Sequence, residues 1–92
     1  MARIYRYEVP VDDRWHEVAL YGDPIHVDCR QLNIVEFWAI HCEARDSVPT
    51  WTRSFMVVGT GHELPPDYWR TWGSVIAPGG LLVWHLIERR MP

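Results

Sequence analysis

The chain has 92 residues, 48% of them hydrophobic and 13% aromatic, which excludes a disordered polymer and leaves room for a single core, so residues 1–92 read as one domain. Its nine basic residues are all arginine, scattered among twelve acidic ones for a formal net charge of -3. Without a basic patch, nucleic acid is not an expected partner, because affinity for it comes mostly from neutralised phosphates. No run approaches the ~20 apolar residues that span a bilayer, and the N-terminus lacks the apolar stretch of a secretory signal, so membrane insertion is not expected and a soluble cytoplasmic protein is.

Seven prolines and six glycines punctuate the chain too often for long helices. In chain order, Arg3 to Val9 alternates, with Tyr5, Tyr7 and Val9 on one face and Ile4, Arg6 and Glu8 on the other, and Pro10 ends this half-exposed strand. After a polar turn at Val11-Asp12-Asp13-Arg14, His16, Val18 and Leu20 share a face up to the turn Gly22-Asp23-Pro24. Ile25 to Arg30 alternates again, with Ile25, Val27 and Cys29 inward.

From Ile34 to Cys42 both faces are apolar, with Ile34, Trp38 and Ile40 opposite Val35, Phe37 and Ala39, so this strand is expected to be covered on both sides. Glu43 to Pro49 reads as an exposed charged loop. Trp51 to Gly59 is a second buried strand, stopped by Gly59-Thr60-Gly61-His62. That turn could be mistaken for a phosphate loop, but Pro65 and Pro66 block the helix such a loop needs. Tyr68 to Ile76 reads as a strand kinked at Gly73, with a short helical turn near 66–72 as the alternative. Pro78-Gly79-Gly80 then turns the chain into Leu81–Glu88, whose faces are Leu81, Val83 and Ile87 opposite Leu82, Trp84 and Leu86.

The expected fold is therefore all-β, a small antiparallel sandwich or barrel-like meander of about six strands, with Ile34–Cys42, Trp51–Gly59 and Leu81–Glu88 at its centre. Cys29 and Cys42 lie in apolar segments without Cys-x-x-Cys spacing and read as core residues. Two doubly apolar strands and six tryptophans exceed what one small core holds, which predicts a homo-oligomer, a symmetric dimer or a small ring.

Ile4-Tyr5-Arg6-Tyr7, Phe37-Trp38-Ala39, Val57 to Pro65, Trp72-Gly73-Ser74-Val75 and Gly79 to Glu88 together resemble a family of short uncharacterised bacteriophage proteins with no assigned activity. The resemblance covers nearly the whole chain and is most specific at Gly59-Thr60-Gly61-His62 and at Leu82-Val83-Trp84-His85-Leu86. It implies phage origin and expression in the cytoplasm of a bacterial host, and nothing about catalysis. Small phage products of this kind commonly bind a host component, so the resemblance makes a host bacterial protein the expected partner, in host takeover, superinfection exclusion or counter-defence.

Two kinds of binding site follow from the residues. An aromatic patch rimmed by arginine would dock a protein, and Trp51, Trp69, Arg70 and Trp72, which flank the loops, are its candidates. A small-ligand binder or sponge, taking a nucleotide-type anion on an oligomer, would instead use backbone amides of Gly59, Thr60 and Gly61 with His62 and Arg53. The acidic Glu63 and Asp67 near the turn favour the protein partner. Spacing is equally compatible with these aromatics being core and these glycines merely turning the chain.

Catalysis is not expected. The five histidines, His16, His26, His41, His62 and His85, show neither His-x-His nor helix-type spacing, so a metal-dependent hydrolase with Glu63 as base would need ligands converging from separate strands. His41 and Cys42, adjacent on a strand, point to opposite faces, and Ser54 and Ser74 lack a Gly-x-Ser-x-Gly context. No cofactor is expected.

Overall fold

The computed structural model describes residues 1–42 and 51–90; the charged loop expected at Glu43 to Pro49 falls outside them. Seven strands form, β1 (Ala2–Pro10), β2 (His16–Leu20), β3 (Pro24–Gln31), β4 (Ile34–Cys42), β5 (Trp51–Gly59), β6 (Tyr68–Ile76) and β7 (Val83–Arg89), and no helix is present among the described residues. Two antiparallel sheets, ordered β1-β4-β3 and β2-β5-β7-β6, pack face to face as a sandwich. The central positions go to β4, β5 and β7, the three strands expected there. The segment near 66–72 is strand from Tyr68 onward, not a helical turn.

Phe37 of β4 and Phe55 of β5 meet across the two layers with ring centroids 5.0 Å apart, and Tyr7 stacks on Phe37 at 5.1 Å. Val9, Leu20, Val35, Val57 and Leu86 close the same core. The faces read from β1 and β2 hold; on β4, Val35, Phe37 and Ala39 turn into the core, whereas the opposite face is not covered along its whole length, since Ile40 is exposed. Ile25 does not turn inward: a register shift between Pro24 and His26 leaves it as the extra residue of a bulge, and it is exposed. Along one side the layers close tightly, since a Cβ on Gly73 of β6 would lie 2.9 Å from Val27 Cγ2 of β3.

The far faces of the two sheets are covered differently. On β5 and β7, Met56, Val58 and Ile87 are buried beneath Trp15, from the β1–β2 connection, and Tyr68, with the Arg89 guanidinium 5.2 Å from the Trp15 ring centroid. The far face of β4 carries Glu36, which the apolar reading of that face passes over. Arg30 of β3 donates to both Glu36 oxygens at 2.7 and 2.8 Å, Arg6 of β1 donates at 2.6 Å, and the carboxylate is fully covered although both arginines are about half exposed. Arg30 chiefly, with Arg6 beside it and burial opposing, holds this carboxyl down to about 2.

Turns end the strands where backbone geometry demands it. The β3–β4 hairpin turns through Leu32-Asn33, with Asn33 at φ 64°, a conformation asparagine tolerates. Gly61 at φ 89° closes the turn after β5, where the His62 amide donates to the Gly59 carbonyl at 3.2 Å. Beyond β6, Gly79 and Gly80 adopt φ 94° and 78°, and the Ala77 amide donates to the Leu82 carbonyl at 2.8 Å. This wider turn absorbs Leu81 and Leu82, so β7 starts at Val83 and both leucines are exposed at the tip rather than alternating along a strand.

A tryptophan-walled candidate docking cleft

One end of the sandwich is organised by an ion pair between neighbouring strands. Arg53 of β5 and Glu88 of β7 project to the core side of their sheet, where Arg53 Nε and Nη2 donate to Glu88 Oε2 and Oε1, both at 2.7 Å. The remaining guanidinium edge donates to Asp23 at 2.8 Å, and the Trp72 indole donates to Glu88 Oε1 at 2.8 Å. Glu88 is buried and Arg53 nearly so. The Glu88 hydrogen bonds raise the Arg53 guanidinium above its already high ordinary value, with burial opposing and Asp23 adding. Its plane also lies over the rings of Trp72 and Phe55, at 5.4 and 5.6 Å.

Above this floor opens a cleft of about 570 Å³ lined by Asp23, Trp51, Thr52, Arg53, Trp69, Glu88, Arg89 and Arg90. Trp51 is the first residue of β5 and is 66% exposed; Trp69 of β6 is 44% exposed. The ladder between β6 and β7 slips twice, between Tyr68 and Arg70 and between Thr71 and Gly73. These two bulges free Trp69 and Trp72 from strict alternation, so that Trp69 lines the cleft while Trp72 reaches the buried carboxylate. Arg70 caps Trp72, its guanidinium 3.9 Å from the ring centroid.

The sequence candidates for protein docking thus fall in one region, with different parts to play. Trp51 and Trp69 are walls, Arg70 is a rim cation on a ring, and Trp72 is a half-buried strut. The alternative small-ligand set is divided. Gly59, Thr60 and His62 line a second cleft of about 510 Å³ with Leu81, Leu82, Val83 and Trp84, whereas Arg53 belongs to the first, six residues back along β5 and hence ~20 Å away. Sequence reasoning missed Glu88, Asp23, Arg89 and Arg90 as cleft residues. The available signal was Glu88 itself, an acid on the inward register of an otherwise apolar strand.

A family model described as a domain of unknown function (DUF7352) matches residues 1–92. The chain belongs to the DUF7352 family. No curated protein and no solved structure matches it.

The histidines of this DUF7352 chain are dispersed. His16 bonds Asp12 at 2.8 Å, His26 packs on Trp38, and His41 stacks on Tyr5. Among the described residues no group of three or more His, Cys, Asp or Glu is placed to hold a metal ion. His85 lies between two hydroxyls, with Ser74 Oγ 2.7 Å from Nδ1 and Thr60 Oγ1 2.8 Å from Nε2. The β6–β7 register brings Ser74 beside His85, a pairing that no local sequence motif announces. The second ring nitrogen faces a threonine rather than the carboxylate that stabilises an imidazolium in a nucleophile–base pair.

Proposed function

We propose that this DUF7352 chain acts by binding, as a small phage-encoded accessory protein that docks a segment of a host bacterial protein in the Trp51–Trp69 cleft, in the host cytoplasm. The observation that carries the reading is the pair of exposed tryptophans walling a concave site above an ion pair already satisfied within the protein. Tryptophans in such positions supply large apolar contact area at small entropic cost, and Arg70 and Arg90 at the rim suit an acidic or carbonyl partner group. Phage origin and a bacterial partner rest on the sequence resemblance.

The test is affinity capture from host lysate, followed by titration of the purified partner against wild type, Trp51→Ala, Trp69→Ala and the remote control Leu64→Ala. Hot-spot losses of at least about 2 kcal/mol correspond to roughly 30-fold weaker binding for each tryptophan variant, with the control unchanged. Equal affinity of all four proteins refutes docking at the cleft. A co-purifying nucleotide with no protein partner would favour the small-ligand alternative.

A further inference from the structure

The β6–β7 hairpin carries no charged residue from Thr71 through Ile87. Its tip exposes Ile76, Leu81 and Leu82 at 65%, 92% and 51%. A Cβ added at Gly79 or Gly80 would meet nothing within 4 Å, so the turn itself is open to solvent. The tip is an exposed apolar surface, a feature that ordinarily marks a contact.

Its complement lies at the other end of the same strand. The tip precedes Val83, while the cleft is lined by Glu88, Arg89 and Arg90; the seven residues of β7 separate the two by ~20 Å. One copy therefore cannot fill its own cleft, but the tip of another can. The floor suits an uncharged occupant, because Arg53 is paired with Glu88 and Asp23, and Arg89 lies 3.6 Å from Asp67. Covering these floor pairs with a charge-free hairpin strands no unpaired charge on the floor, while Arg90 stays at the exposed rim. The cleft volume falls within the ~300–1,000 Å³ typical of sites for small molecules, a size that a hairpin tip carrying two leucine side chains can enter.

We propose that the hairpin tip of one copy docks between Trp51 and Trp69 of the next, so that the protein assembles head to tail. Such a contact is heterologous: each copy offers one tip and one cleft, and the assembly grows as a ring or an open chain rather than stopping at a two-fold dimer. The inference goes beyond the docking function, since it concerns what fills the cleft before any partner segment arrives. A partner segment then competes with the tip.

Two variants separate the surfaces, Leu81→Ser/Leu82→Ser at the tip and Trp51→Ala/Trp69→Ala at the cleft. All four positions are exposed, and melting curves together with far-ultraviolet circular dichroism verify the fold; Leu81→Arg is a second tip variant should the first be destabilised. Light scattering across a wide concentration range is expected to show wild-type mass rising beyond two chains and every species above one chain lost in each variant. Mixing the tip variant with the cleft variant is expected to give a pair of one copy of each and nothing larger, because one intact tip meets one intact cleft. A monomeric wild type at all concentrations, variants that assemble as wild type does, or a mixture that stays monomeric would each overturn the proposal. The partner titration is independent of this result: the tip variant keeps both tryptophans, so undiminished partner binding alongside unchanged assembly would sink the head-to-tail contact and leave the docking function standing.

Discussion

Replacing Glu36 by glutamine tests whether an ionic triad really covers the far face of β4. Its carboxylate accepts from Arg30 and Arg6 and is held at about 2, against an ordinary value of 4.5. The full displacement would be worth ~3 kcal/mol. The shield is one side chain deep, however, and both arginines are half exposed, so solvent screening reduces the expected contribution to ~1–2 kcal/mol. At neutral pH, Glu36→Gln should therefore lower the melting temperature by roughly 4–16 °C for a chain of this size. The sign of the pH dependence follows from the depressed value. Between about pH 4.5 and 2 the unfolded chain binds a proton at this site that the folded chain does not, so the contribution is complete above the unfolded value and disappears as pH falls towards 2. Melting both proteins by circular dichroism from neutral pH downward isolates the effect, because the other acids titrate in both. A gap between the curves that does not change from pH 7 to pH 2.5, or no gap at pH 7, refutes the account.

Glu88→Gln should cost more, ~2–3 kcal/mol in urea denaturation, because it removes the charge facing a nearly buried arginine that keeps only the exposed Asp23 as partner; a loss below about 0.5 kcal/mol would mean that the cleft floor is held by packing alone. Gly73→Ala should destabilise by ~1–3 kcal/mol, since its Cβ would lie 2.9 Å from Val27 Cγ2. Adding Val27→Ala should recover part of that loss, and strict additivity in the double-mutant cycle would show that the layers do not meet there. Trp72→Phe keeps the ring but not the indole donor to Glu88, so a drop of about 1 kcal/mol is expected with partner affinity little changed.

What could be read in advance depended on how far each feature reaches along the chain. The bounds of β4 and β5 are visible in the sequence because each is a strand-length, largely apolar run whose ends are set by turn residues, Asn33 and Gly59 among them. Features made by pairing across the sheet were invisible. Ile25 keeps perfect alternation in sequence, and only the slipped ladder with β4 turns it outward. Glu36 looks like a polar interruption in an apolar strand until β1 and β3 bring Arg6 and Arg30 to either side of it. The cleft mixes both cases. Trp51 and Trp69 were recognisable as residues flanking loops, but that Glu88 and Asp23 share their site depends on which strands are neighbours. In the sequence Pro78-Gly79-Gly80 looks sufficient for a tight hairpin, which puts Leu81 and Leu82 in a strand; the bond from the Ala77 amide to the Leu82 carbonyl makes the loop wider and leaves both side chains outside.

The same geometry bears on the proposed docking. Both oxygens of Glu88 already accept hydrogen bonds, one from Arg53 Nε and the other from Arg53 Nη2 and the Trp72 indole. A carboxylate so occupied is positioned to hold its neighbours rather than to reach a substrate. Arg53 is equally committed, with donors on Glu88 and Asp23 and its face over two aromatic rings. The floor is therefore stiff, and what remains adaptable is the rim: Trp51, Trp69 and Arg90, all exposed. If the cleft docks a segment as proposed, an ordered floor under exposed aromatic walls limits the freedom lost on association, because the ordering of Arg53 and Glu88 is completed when the chain folds.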